Sequence, residues 1–342
     1  MKVSIGYKPI RGPWGGGNSF VINLCEALQN AGHTVVFDLN SLDIDIILII
    51  DPRKRPASVS FGVGELFRYL LFRNKNAIVV HRINECDERK NTLFTNFRLR
   101  TANYVADYSV FVGTWLKYLS VWRPQDKRGN SVILNGADPN IFFAGSRPMW
   151  KIGQKLRLVT HHWGGNWMKG FDIYEKLDQM LASPNWRNKI DFTYIGNAPE
   201  GFQFRNASHI QPLKAVALAE ELRQHDVYLT ASINEPGGNH QNEGALSGLP
   251  ILYRNSGCLP EYCDGFGIGF NGPEDFETSL EKISENYPAI YAKMKDYPNR
   301  SSFSTNQYLV LFEELIRRKL ELKSKRALMR NPVLALVTQF LF

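Results

Sequence analysis

Short blocks of consecutive apolar residues alternate along this chain with stretches in which apolar residues return every three or four positions. The first kind marks strands buried on both faces and the second marks amphipathic helices, so the alternation predicts a parallel α/β architecture. In the first half, strands are expected over 3–7, 35–39, 46–50, 77–80, 109–112 and 132–134. Phe20, Leu24, Ala27, Leu28 and Ala31 form one helical stripe that Gly32 ends, and further helices are expected over 65–72, 92–106 and 114–121. Residues 138–154, rich in Pro, Gly and polar side chains, read as a linker. A second series follows, with strands over 156–160, 191–195, 227–230 and 251–253 and helices over 171–181, 215–224 and 239–247. The fold class expected is α/β, with two Rossmann-like doubly wound domains in tandem, one over 1–140 and one over 150–306. A last amphipathic helix, about 307–323, is expected to pack back on the first domain, which 307–342 would complete.

Length agrees with this division, since 342 residues exceed one ordinary domain. The opening residues read as a buried strand rather than a leader, and no apolar run reaches the ~18–20 residues that span a bilayer. A cytoplasmic chain is expected. Cys25, Cys86, Cys258 and Cys263 form no CxxC pair or zinc spacing and read as free thiols. The formal charge of +8 suits an anionic partner, but no nucleic-acid-binding motif accompanies it, so nucleic acid is not expected. Part of the excess is local: residues 317–330 hold seven basic residues against the single acid Glu321. An apolar tail over 332–342 follows, too short to span a membrane. Basic charge beside a short apolar segment predicts either peripheral membrane contact through 317–342 or a final element packed on the first domain.

Two stretches carry candidate chemistry. Gly12-Pro13-Trp14-Gly15-Gly16-Gly17 lies between a strand and a helix, where glycines allow close backbone approach to a phosphate or sugar. A dinucleotide fingerprint would need a third small residue at position 20, and Phe20 stands there. The loop is a ligand-approach loop or a plain tight turn. The second stretch runs from Thr230 to Pro250: a strand ends, Glu235 sits in the loop, and Gly237-Gly238 lead into a helix carrying Glu243. Two carboxylates beside a glycine-rich helix start can accept charge-assisted hydrogen bonds from ligand hydroxyls.

Glu235 and Glu243, eight positions apart and followed by Gly248-Leu249-Pro250, resemble the motif of the retaining glycosyltransferases of family 4, which have the GT-B fold. Asn135-Gly136-Ala137-Asp138 with Phe142 resembles that family's interdomain motif, and Lys169-Gly170 before a helix resembles its donor-phosphate lysine. His81 at the end of a strand resembles its sugar-contacting histidine. The similarity covers about 1–322 and implies two domains facing each other across a cleft. It also implies a catalytic set of Glu235, Lys169 and His81, in which Glu235 binds donor-sugar hydroxyls and Glu243 the nucleotide ribose. Gly16, Gly17, Gly237, Gly238, Asn239, His240 and His162 would complete the donor site. The family's usual Arg, about six residues before the lysine, is replaced by Trp163, so His161, His162 or another base would assist Lys169. Trp163 and Trp167 read as core or cleft-wall aromatics. In the polar run from His81 to Lys90, Arg82, Asn84, Asp87 and Arg89 are candidate acceptor contacts.

Together these features predict retaining transfer of a sugar from a nucleotide-sugar donor to a saccharide or lipid-linked acceptor, with no cofactor and no metal. Glu235 is the only acid available for a double displacement, and the family gives it a hydroxyl-binding role, so same-face attack with the β-phosphate as base is expected. The rivals are a sugar-nucleotide epimerase on the same fold and a silent sugar-nucleotide-binding protein.

Overall fold

The computed structural model describes residues 1–10, 16–53, 58–326 and 333. The glycines at 12 and 15 and nearly all of the apolar tail lie outside the described residues. In chain order the first half contains β1 (Lys2–Ile5), α1 (Gly16–Asn30), β2 (Thr34–Val36), β3 (Ile46–Ile49), α2 (Val63–Phe72), β4 (Ile78–Ile83), α3 (Thr95–Ala102), β5 (Tyr108–Phe111) and β6 (Gly129–Val132). The second half contains β7 (Leu156–His162), α4 (Phe171–Met180), α5 (Pro184–Arg187), β8 (Ile190–Gly196), β9 (Ser208–Ile210), α6 (Ala215–Leu222), β10 (Val227–Thr230), α7 (His240–Leu246), β11 (Ile251–Arg254), α8 (Leu259–Cys263), β12 (Gly267–Phe270), α9 (Phe276–Glu285) and α10 (Tyr287–Lys293). Two C-terminal helices, α11 (Ser301–Arg317) and α12 (Lys319–Lys325), complete the described chain.

Among the described residues these elements form two parallel six-stranded sheets, each in its own compact unit. The first unit comprises 1–10, 17–134 and 302–342, and the second 11–16 and 135–301. The first sheet has the order β2-β1-β3-β4-β5-β6, with its switch point between β1 and β3. The second runs β12-β11-β10-β7-β8-β9, the Rossmann order 3-2-1-4-5-6 read from the other edge, with its switch point between β7 and β10. All pairings are parallel, and the inner strands β3, β4, β10 and β11 are buried at every position, as sheets covered on both faces require.

The C-terminal helices belong to the first unit. Tyr308, Leu311, Phe312, Leu315 and Leu322 share a core with Val3, Ile5, Phe20, Leu24, Leu28 and Ile46. Instead of one helix over 307–323, the chain breaks at Arg318, whose guanidinium meets both Glu314 and Glu321. Arg326 then turns inward. It is 2% exposed and donates through Nε and Nη2 to Asp107 and through Nη2 and Nη1 to the carbonyls of Ala77 and Lys75.

Other expected boundaries moved for local reasons. The helix expected over 92–106 starts only at Thr95, because the Asp87 carboxylate accepts the amides of Thr95 and Asn96 at 2.8 and 3.0 Å and fixes the first turn there. The helix expected over 114–121 is a single 3-10 turn, Thr114–Tyr118. β9 and β12 carry too little apolar periodicity to show in the sequence. β9 lies at an edge, and β12 is half glycine.

Candidate functional site

The C-terminal ends of β7 and β10 lie side by side at the switch point of the second sheet, where ligands of open α/β sheets bind. β7 delivers Thr160, His161 and His162 to this edge, and side chains alternate along a strand. Thr160 and His162 accordingly share one face, where the Tyr174 hydroxyl lies 3.2 Å from Thr160 Oγ1 and 2.8 Å from His162 Nε2. His161 takes the other face. Its Nε2 lies 2.6 Å from Glu243 Oε2, and its Nδ1 lies 3.1 Å from the Tyr228 hydroxyl. Nε2–H donates to the carboxylate, and in the neutral imidazole Nδ1 then accepts from Tyr228. Asn239 Nδ2 donates to the other Glu243 oxygen at 3.0 Å, so both carboxylate oxygens are held.

Glu235 reaches the same edge from the loop after β10. Asn234 adopts a left-handed conformation (φ 53°), which asparagine tolerates better than most residues. Its amide donates to Ser256 Oγ, and the Glu235 carbonyl accepts from the Cys258 amide at 2.8 Å. Between these contacts Gly257 (φ 62°) lies so close that an added Cβ would come within 2.5 Å of the Glu235 backbone nitrogen. The Glu235 side chain, 2% exposed, accepts from Lys169 Nζ at 2.7 Å. Lys169 ends a 3-10 turn, Trp167–Lys169, and Gly170 (φ 100°) follows, where a side chain would strike Ala231 at 2.4 Å. A cation and an acid are thus held together in a nearly dry setting, where breaking one partner leaves the other charge buried.

The glycine segment between the two acids is braced. Asn135 Nδ2 donates to the Gly237 carbonyl at 2.6 Å, and Asn242 Nδ2 donates to the Asn135 carbonyl. Gln241 donates to the Gly238 carbonyl at 2.7 Å. His240 Nε2 lies 2.8 Å from Thr230 Oγ1, with its ring 4.7 Å from that of His162. The structure therefore gathers Lys169, Glu235, Gly237, Gly238, Asn239, His240, Glu243 and His162 at one sheet edge. It adds Tyr228, Tyr174, Thr230 and Asn135, which sequence reasoning did not assign to the site. The Asn135 motif was the one available signal. Trp163 and Trp167 are each 46% exposed, so neither is a core residue.

In the first unit a cavity of about 140 Å³ opens at the β1–β3 switch point. Its walls include Tyr7, Gly17, Asp51, Arg53, Asn84 and Arg98. Arg53 and Asp51 pair within the wall at 2.7 Å. Gly16 and Gly17 open α1, and Gly17 reaches this wall. Arg89 pairs with Glu85 at 3.0 Å, and Asp87 is committed to capping α3. Arg82 does not lie in an open polar run. Strand alternation turns it away from His81 into the core, where it is 1% exposed and stacks 3.9 Å from the Phe20 ring centroid.

His81 lies within β4 rather than at its end and is completely buried. Its Nδ1–H donates to Asn103 Oδ1 at 2.7 Å, while Nε2 has no partner among the described residues. Burial pushes its pKa down to about 4, partly offset by the Asn103 bond. An unfolded histidine titrates near 6.5, so the unfolded chain binds the extra proton between about pH 6.5 and 4 and the folded chain does not. This contribution to stability is therefore complete above about pH 6.5 and falls as pH drops toward 4, by at most about 3 kcal/mol. Urea unfolding across that range should show the decline in the wild type and a shallower one in His81→Gln. Equal slopes in the two proteins would refute the assignment.

No family model matches the chain, and no curated protein does. Solved structures do. Sucrose-phosphate synthase from Thermosynechococcus elongatus aligns with 92% of this chain and 98% of its own at a TM-score of 0.64 and 13% identity. The Anabaena protein HepE in complex with UDP aligns with 92% of this chain and 100% of its own at 0.66 and 14% identity. An Escherichia coli trehalose-6-phosphate protein bound with UDP-2-fluoro glucose aligns with 91% and 99% at 0.66 and 12% identity. At such identities the likeness is one of fold: the chain has the two-unit GT-B fold of these structures.

Proposed function

We propose that this chain is a glycosyltransferase that moves a sugar from a nucleotide-sugar donor to a hydroxyl acceptor with retention of configuration and without a metal. The observation that carries the reading is the pair of held acids at the switch point of the second sheet, Glu235 on Lys169 and Glu243 on His161. In this reading Glu243 takes the ribose hydroxyls, Glu235 takes hydroxyls of the donor sugar, and Lys169 stabilises the charge that develops on the leaving diphosphate. Such electrostatic stabilisation is usually the largest catalytic term. Same-face attack with the β-phosphate as base follows, because Glu235 is already engaged by Lys169. His81 is proposed to meet the donor sugar through Nε2. The ring is fully buried, so that contact requires the groups over it to move.

The acceptor side is proposed to be the cavity of the first unit, with Asn84 and Arg98 as its contacts and a saccharide or lipid-linked hydroxyl as the ligand. Asp87 and Arg89 do not line this cavity; they hold Thr95 and Glu85, which do. No helix among the described residues is long and apolar enough to cross a membrane. A peripheral contact through 317–342 is proposed with fewer available cations, since Arg318, Lys325 and Arg326 are engaged by Glu314, Glu321 and Asp107.

A donor-hydrolysis panel of UDP-, GDP- and ADP-sugars tests the class. UDP-sugars come first, because the HepE and E. coli structures hold UDP or a UDP-sugar. Release of free sugar supports transfer, an epimerised donor would show an epimerase, and binding without turnover would show a silent protein. Within the panel, Glu243→Ala is expected to raise the donor KM by about 10–100-fold, the worth of a charge-assisted hydrogen bond, while leaving kcat nearly unchanged. Glu235→Gln is expected to lower kcat instead. Wild-type constants in both variants would remove the donor-site assignment.

A further inference from the structure

One group of exposed apolar residues in the first unit stands at the start of α3. Leu93 is 79% exposed, Phe94 65% and Phe97 41%, and Tyr118 on the adjoining 3-10 turn is 82% exposed. Single exposed apolar residues are ordinary, but four large ones on adjoining segments form a patch. The segments are tied together, since Asn96 Nδ2 donates to Ser120 Oγ and Arg100 Nη1 to the Ser120 carbonyl, both at 3.1 Å. Phe94 and Phe97 stand three positions apart, on one side of the helix start, and Arg100 continues that side with its guanidinium 5.7 Å from the Phe97 ring centroid.

This arrangement is held against a conformational cost. Phe94 has φ 73°, a left-handed conformation that bulky residues seldom adopt. The Asp87 carboxylate enforces it by taking the amides of Thr95 and Asn96 and the Thr92 hydroxyl. The result is an aromatic ring held in solvent. Arg100 stands against the Phe97 ring, and Lys117 and Arg123 flank Tyr118 and Ser120 in the chain. Most neighbouring acids are engaged by other groups: Asp87 in the cap, Glu88 by Asn96, and Glu85 by Arg89 and Lys90, while Asp126 pairs with Arg128 and also lies within electrostatic reach of Arg123.

We propose that this face is a membrane-contact surface that seats peripherally on an anionic bilayer, with the rings at headgroup depth and the cations against lipid phosphates. Charge complementarity selects this occupant. The chain's own tail over 327–342 holds Arg330 and no acid, so it offers nothing to a basic rim, and a second copy would bring like charge to like. The same helix lends Thr95, Arg98 and Leu99 to the wall of the cavity, so a head group at the bilayer surface would lie beside it. The surface itself does not depend on the sugar-transfer reading.

Co-sedimentation of the full chain with phosphatidylcholine vesicles, with and without phosphatidylglycerol, tests the proposal without any donor. Failure here therefore leaves the enzymatic assignment untouched. The full chain is expected to bind only the phosphatidylglycerol vesicles, and less as salt rises. Phe94→Asn with Phe97→Ser should lower the bound fraction at least about tenfold. Asparagine tolerates the left-handed conformation, so the thermal midpoint should hold. Should that pair prove unstable, Lys117→Glu with Arg123→Glu decides, and undiminished binding there overturns the proposal. Truncation after Arg326 should retain binding. A full chain that ignores phosphatidylglycerol vesicles, a folded aromatic variant that binds like wild type, or loss of binding on truncation each overturns it.

Discussion

Replacing Lys169 by methionine is expected to lower kcat by about 10²–10³ with a smaller change in donor KM, because the lysine acts chiefly on charge that appears in the transition state. Lys169→Arg should lose less, and activity should survive EDTA. One confounding effect is built into the site: Lys169 and Glu235 are buried together at 2.7 Å, so Lys169→Met leaves Glu235 without its cation partner and lowers stability as well. The double variant Lys169→Met/Glu235→Gln separates the two effects. It should recover most of the thermal midpoint while kcat stays low. Recovery of kcat along with stability would show that Lys169 is a structural cation. Loss of activity in EDTA, restored by Mg²⁺ or Mn²⁺, would show that a metal rather than Lys169 carries the phosphate charge.

The second large effect concerns folding. Arg326→Met is expected to destabilise the first unit by about 3–5 kcal/mol, since it leaves Asp107 charged and buried. Asp107 is the harder partner to abandon, as one of its oxygens also accepts the Val79 amide at 2.9 Å. Arg326 in turn holds the carbonyls of Lys75 and Ala77, so the pair fastens the end of α12 to the start of β4. The double variant Arg326→Met/Asp107→Asn should cost less than the sum of the single changes, because no lone charge remains. Urea unfolding of the four proteins measures the coupling, and strict additivity would refute it. Truncations meant to probe the tail should therefore end after Arg326 rather than before it.

The apolar pattern alone determined that this is a parallel α/β chain in two series, because sheets covered on both faces need consecutive apolar strands and their crossovers need one apolar stripe. It also marked the acids: Glu235 and Glu243 stood out as carboxylates around a glycine-rich helix start, and Lys169 through a resemblance. Boundaries at α3 and between α11 and α12 were not legible, since they hang on Asp87 and Arg318, whose partners a periodicity cannot reveal.

The choice between His161 and His162 belonged to the tertiary structure. Adjacent residues on a strand face opposite ways, and only the register of β7 between β8 and β10 decides which one meets α7. That register gives His161 to Glu243, 82 positions later, and His162 to Tyr174. The same rule sent His81 and Arg82 to opposite faces of β4 and buried both, although in the sequence they open a run of polar residues. Composition says that such side chains prefer water. The strand's place in the middle of a covered sheet overrode that preference, and the stacking of Arg82 on Phe20 and the hydrogen bond from His81 Nδ1 to Asn103 offset only part of what burial costs.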